Sequence, residues 1–177
     1  ELAERNYRHA VLRWDVPVER CAVIAIDCWN WHFSGDTLER IQAICCQRIA
    51  PLFAACRAAG LQVVHCPADP VASRHPNLLR FRPAGETPQP EYPDSPAWPP
   101  AAFRAKTGEY ADLAKPFEPQ AAERNQHRDT GRDFHPLCRP VGNEPVIVDG
   151  EDLHRWCARE GILTLFFVGF NTNACVM

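Results

Sequence analysis

Three short runs constrain this chain more than anything else in it. Ala22 to Ile26, Leu61 to His65 and Leu163 to Val168 are β-rich and nearly continuous in apolar character rather than alternating. Strands that read this way are covered on both faces, as in a parallel sheet held between helices. A fourth, shorter run, Val146-Ile147-Val148, follows Pro145. Between the first two runs, Leu38, Ile41, Cys45, Ile49, Leu52, Phe53 and Cys56 recur at helical spacing. Asp36 followed by Glu39 predicts a capping box at the helix start, and Gly60 predicts its end. Pro51 should kink or divide this helix, because its ring removes one backbone hydrogen bond.

Strand, helix, strand is a βαβ unit, and such crossovers make parallel neighbours. A second unit follows near the end. Val146 to Val148 leads into a helix over about Glu151 to Glu160, with Leu153 and Trp156 inward and Gly161 as terminator, and then into the strand from Leu163. The expected fold class is therefore α/β: a doubly wound, mostly parallel sheet with helices on both faces, forming one domain over residues 1–177. An irregular proline-rich insertion, about residues 67–142, interrupts it. Of the 17 prolines, 14 lie there, all but Pro17, Pro51 and Pro145. Runs such as Pro88-Gln89-Pro90 and Trp98-Pro99-Pro100 exclude regular helix or central strand. One short helix around Ala101 to Ala114 is expected, and Trp98, Phe103, Tyr110, Phe117 and Phe134 are expected to anchor the segment as a covering loop or subunit contact.

Composition narrows the partners. A formal net charge of -3 leaves no basic footprint for nucleic acid. No apolar run approaches the roughly 20 residues of a membrane span. The nine cysteines are odd in number and show no CxxC pair. They are expected to be free thiols in a reducing, cytoplasmic setting, most of them small core residues, with no zinc ribbon and no cofactor. The start at Glu1 shows no signal peptide and reads as a trimmed N-terminus.

Ligands on open α/β sheets bind beyond the carboxyl ends of the strands. Those ends carry Asp27-Cys28-Trp29-Asn30, Cys66 to Asp69, Asp149, and Gly169 to Cys175. One carboxylate and one cysteine thus fall where a hydrolase needs them. The segment Ala22-Val23-Ile24-Ala25-Ile26-Asp27-Cys28-Trp29-Asn30 resembles the first strand and aspartate of the isochorismatase-like cysteine hydrolases. The segment Val168-Gly169-Phe170-Asn171-Thr172-Asn173-Ala174-Cys175-Val176 resembles their G-x-x-T-x-x-C-V nucleophile turn. The resemblance covers roughly Cys21 to Leu61 and Val146 to Met177.

It implies Cys175 as nucleophile and Asp27 as general base and then acid, with attack on an amide or related carbonyl, an acyl-enzyme and its hydrolysis. A thiol at a strand-to-helix turn faces the positive helix end, which favours thiolate. Backbone N–H groups near Asn171 and Cys175 are expected to form an oxyanion hole, and the resemblance implies a cis peptide around Phe170-Asn171. Trp29, Asn30, Asn171 and Thr172 are expected to bind a small-molecule substrate, with Trp31 and His32 shaping the wall; the protein is expected to be a homo-oligomer.

Two features depart from the family. Its catalytic lysine, placed after the strand preceding the nucleophile strand, has no counterpart in Glu144-Pro145-Val146-Ile147-Val148-Asp149-Gly150. The only lysines, Lys106 and Lys115, are expected at the solvated surface, and Arg139 or Arg80 is the substitute considered, although a guanidinium does not shuttle protons. The chain also ends two residues after Cys175, so the C-terminal part of the fold is expected to be missing. His65, Asp69 and His75 do not match the Asp-x-His pattern of metal-binding nicotinamidases, so structural roles are expected and no metal site. The alternative to a hydrolase is a non-catalytic relative that keeps the pocket for binding or assembly.

Overall fold

The structure, a computed structural model, describes residues 3–81, 98–114, 121–172 and 175–176. The Pro88-Gln89-Pro90 run, Lys115 and Phe117 lie outside the described residues. Three parallel strands form the sheet: β1 (Cys21–Ile26), β2 (Gln62–Cys66) and β3 (Thr164–Gly169), in the order β2-β1-β3.

The continuous apolar reading of β1 has a direct structural reason. Val23 and Ala25 face one core with Ile41, Cys45, Ile49, Phe53, Cys56 and Val63. Ala22 and Ile24 face a second core with Val64, Ile147, Trp156 and Ile162. Both faces of β1 are therefore dry, and helices cover each. One cover is the α1 (Gly35–Ile44) and α2 (Ala50–Ala59) pair, and the other is α6 (Gly150–Glu160). β3 is less covered, with Phe166 and Phe167 about half exposed.

Pro51 divides the first helix as its ring demands, and the break takes the form of a π turn over Cys45–Ile49, just before the proline at the start of α2. Gly60 ends α2 in the left-handed region. The helix start differs from the expected capping box. Ser34 is the residue before α1, and Leu38 N–H donates to its carbonyl. Asp36 lies inside the first turn, where its carboxylate accepts from Thr37 N–H and the Ser34 hydroxyl. At α6 the expectation holds: the Asp149 side chain accepts from Asp152 N–H, and Gly161 closes the helix with left-handed backbone.

The fourth expected strand shrinks to a bridge. Val146 pairs in parallel with His65, through His65 N–H to Pro145 O and Ile147 N–H to His65 O, both 2.9 Å. Its own N–H and C=O turn instead to Asn77 and Leu79, so the ladder cannot extend. The described parts of the insertion hold more helix than the single one expected. It contains the short helices α3 (Asp69–Ala72) and α4 (Ala101–Ala105), a 3-10 stretch at Gly108–Leu113, and the ten-residue α5 (Ala121–Thr130). Among the described residues no helix is long and apolar enough to cross a membrane.

Glu144 fastens the insertion's end to the sheet. Its carboxylate receives a bidentate Arg57 pair at 2.6 and 2.9 Å, His65 Nε2 at 2.9 Å and Val141 N–H at 2.9 Å. Burial alone pushes this carboxyl up, but the His65, Arg57 and Val141 hydrogen bonds override it and hold the group at about 2, against an ordinary 4.5. A depressed folded-state value stabilises the fold above pH 4.5 and is lost as pH falls through about 2. Glu144→Gln is therefore expected to cost about 2 kcal/mol at neutral pH, less than the full shift because both partners retain some solvent. The deficit should shrink towards zero in acid, which denaturant midpoints measured from pH 7 to pH 3 will check.

Candidate active site

The site forms where β1 and β3 end together. Ile26 pairs with Gly169, and Phe170 N–H donates to Ile26 O at 3.0 Å, so the residues after both strands leave the sheet side by side. The close approach requires glycine at 169: its φ is +128°, and a Cβ there would lie 1.8 Å from Ile26 O. The Phe170-Asn171 peptide is cis, as the family resemblance implied. Val176 N–H then reaches back to Asn171 O at 3.2 Å, closing the turn that carries Cys175.

Asp27 sits at the matching point after β1, 8% exposed and with φ +50°. Its carboxylate accepts from Trp29 Nε1 and from Ala68 N–H, both at 2.9 Å, and the exposed Cys175 thiol lies near enough to act on it electrostatically. Burial raises the Asp27 carboxyl above its ordinary 3.8. The Trp29 bond, the charge of Arg132, the Ala68 bond and the Cys175 thiol oppose this only in part. A carboxylate held in this way is poised to accept a proton.

Arg132, which no sequence motif marks, is the cation of the site. It is 8% exposed, stacks at 4.6 Å over the Trp29 ring, and lies near enough to Asp27 and Cys175 for their charges to act on it. Its Nε–H is buried with no hydrogen-bond partner among the described residues. A short antiparallel clamp puts it there. Asn30 N–H donates to Asp133 O at 3.0 Å, Asp133 N–H to Asn30 Oδ1 at 2.8 Å, and His135 N–H to Cys28 O at 2.8 Å. The one available sequence signal was α5 itself. Ala121 to Thr130 is proline-free between proline-rich neighbours, with Gly131 after it, and it delivers the chain to Arg132.

The two arginines considered earlier are engaged elsewhere: Arg139 binds Asp133 at 3.2 Å and Arg80 binds Asp69 at 2.9 Å, both at the surface. Lys106 lies over the Phe103 ring at 3.6 Å. Asn30 spends its carboxamide on the clamp, so the geometry gives it a positioning part. Trp29 and Asn171 line a cleft of about 310 Å³ with Trp31, His32, Phe33, Arg124, Asn125, Arg128 and Arg132. Asn171 also joins Thr172 on an adjoining cleft of about 440 Å³ against α1. His65, Asp69 and His75 do not converge: His65 is bound to Glu144, Asp69 to Arg80, and His75 accepts from Asn77 N–H.

The family profile described as "Isochorismatase domain" matches residues 21–177. The chain belongs to the isochorismatase family. Comparison with curated proteins found no match. Among solved structures, a cysteine hydrolase from Pseudomonas syringae pv. phaseolicola is similar in fold, with a TM-score of 0.54 and 20% sequence identity, over 96% of this chain and 68% of that one. In this isochorismatase domain, Asp27 after β1, Cys175 after β3 and Arg132 lie near one another.

Proposed function

We propose that this protein hydrolyses small-molecule amides or related carbonyl compounds through a Cys175 acyl-enzyme. The observation that carries the reading is the proximity of Asp27, Cys175 and the buried Arg132 where β1 and β3 end together. Asp27 takes the thiol proton, and the thiolate attacks the carbonyl carbon. The oxyanion is met by backbone N–H groups near Asn171 and Cys175. Asp27 then returns the proton to the departing amine, leaving a thioester on Cys175. Asp27 next deprotonates water, which attacks the thioester and releases the acid and the thiol.

Arg132 stands in for the family's lysine. It stabilises the negative charge that develops on sulfur and oxygen, and its Nε–H, buried with no partner among the described residues, is a donor for the substrate; proton transfer stays with Asp27 because a guanidinium keeps its protons. The cleft's Trp29, Trp31 and Phe33, with Arg124, Arg128 and Arg132, suit a flat, negatively charged substrate. A panel of aromatic and aliphatic amides, with and without a carboxylate, tests this by acid quench during turnover followed by peptide mapping. An acyl adduct on Cys175 is expected. Turnover with the adduct on another residue, or with none, defeats the mechanism.

The absence of a lysine from the described site supports the second reading, a non-catalytic binding protein. It predicts saturable binding of the same panel with no product.

A further inference from the structure

On the side of the clamp facing α1, a second group of side chains converges that the hydrolytic chemistry does not use. The sulfurs of Cys45 and Cys138 and a ring nitrogen of His135 lie within 4.8 Å of one another, and all three residues are buried. The buried Cys28 thiol, which donates to Ile26 O at 3.8 Å, lies near enough to Cys45 and Cys138 for their thiols to act on it. Three elements meet here. Cys28 follows β1, Cys45 opens the π turn, and His135 caps the 3-10 turn Pro136–Cys138 that Cys138 ends.

We propose that Cys28, Cys45, His135 and Cys138 form a binding site for one zinc ion. A Cys₃His donor set is a recurring tetrahedral structural zinc site, and soft thiolates with imidazole select this metal over hard cations. Zinc bonds of about 2.3 Å to sulfur place neighbouring ligand atoms about 3.8 Å apart. The 4.8 Å envelope of Cys45, His135 and Cys138 therefore needs only a modest contraction, and Cys28 closes in as the fourth ligand. His135 is prepared for ligation: Nε2 lies 2.7 Å from Gln42 Oε1, a contact that fixes Nε2 as donor and leaves Nδ1 unprotonated. Nδ1 now accepts only a long bond, 3.2 Å, from Leu137 N–H. Each cysteine releases its proton on binding. Cys46 is the weaker fourth ligand, since it is exposed and approaches His135 at Nε2, the nitrogen held by Gln42, at 3.9 Å.

Such an ion would lock the clamp at the end opposite Arg132, joining the loop after Asp27 to the segment that carries the cation. Ordinary core packing of small thiols makes none of the following predictions. Untagged protein from zinc-supplemented culture should hold about one zinc per chain by elemental analysis. Replacement by cobalt(II) should give the thiolate-to-cobalt charge-transfer and visible bands of a tetrahedral site, and chelation should lower the thermal midpoint by more than about 5 °C. Cys45→Ser and Cys138→Ser should abolish the cobalt bands, while Cys46→Ser and Cys157→Ser keep them. If the serine variants fail to fold, the cobalt spectrum of the unsubstituted protein still decides. Absence of those bands overturns the site. So does a thiol titration in denaturant that finds seven of the nine cysteines free, because the cluster would then hold a disulfide.

Discussion

Cys175→Ala and Asp27→Asn are each expected to lower kcat/KM by about 1,000-fold on any substrate the protein turns over, and the double variant by little more. The near-equality follows from their coupled roles: the thiol is a nucleophile only while the neighbouring carboxylate can take its proton, so removing either disables one unit. The pH profile separates this from a structural effect. As the base, Asp27 must be ionised, so kcat/KM should rise with pH through its ionisation, at a midpoint above the ordinary 3.8 because burial raises it. Trp29→Phe removes one hydrogen bond that holds the carboxyl down, and Arg132→Gln removes a neighbouring positive charge. Both should move the acid limb to higher pH. The stability effect runs the other way from a salt-bridged acid. A carboxyl raised on folding is stabilising below its unfolded value and loses that contribution as pH rises through the folded one. Asp27→Asn should therefore leave the neutral-pH melting temperature level or higher. An acid limb unmoved in both Trp29→Phe and Arg132→Gln would remove Asp27 from the role of base.

The strand-end residues were legible because they are tied to strands by chain continuity. Asp27 directly follows β1, and Gly169 closes β3, so finding the strands placed Asp27 and Cys175. The covered faces of β1 were legible for the same reason, since a strand dry on both sides leaves no polar positions. Arg132 was not legible. It reaches Asp27 through pairing between residues more than 100 apart in sequence, Asn30 with Asp133, and no local pattern encodes that register. The helix before it was masked by its neighbours, because prolines on both sides made a ten-residue helix read as part of an irregular segment. The thiol cluster was hidden in a similar way. Cys28, Cys45 and Cys138 lack the local spacing of a zinc motif, and only the fold brings them to His135. The fourth strand was over-read, because an apolar triplet after proline specifies extended backbone but not how many partners it will find.

Gly169→Ala is expected to be the most destructive single substitution in the described chain, abolishing soluble folded protein or lowering stability by more than about 4 kcal/mol. Two independent costs coincide at this residue. Backbone at φ +128° is open to glycine and strained for any side chain. The added methyl would also fall 1.8 Å from Ile26 O and 2.9 Å from Ile26 N, both backbone atoms of a buried strand that cannot rotate aside as a side chain would. Relief requires β3 to separate from β1 at the point where the ladder ends, which breaks the Phe170 N–H to Ile26 O bond and draws the Cys175 turn away from Asp27. Any folded fraction should thus lose activity in proportion beyond its loss of stability. Gly60→Ala serves as the control, since it shares a positive φ of +82° but meets nothing within 4 Å. It should cost about 1 kcal/mol and leave activity intact. Equal thermal melts and equal turnover for the two variants would show that contact between the strand ends does not hold the site together.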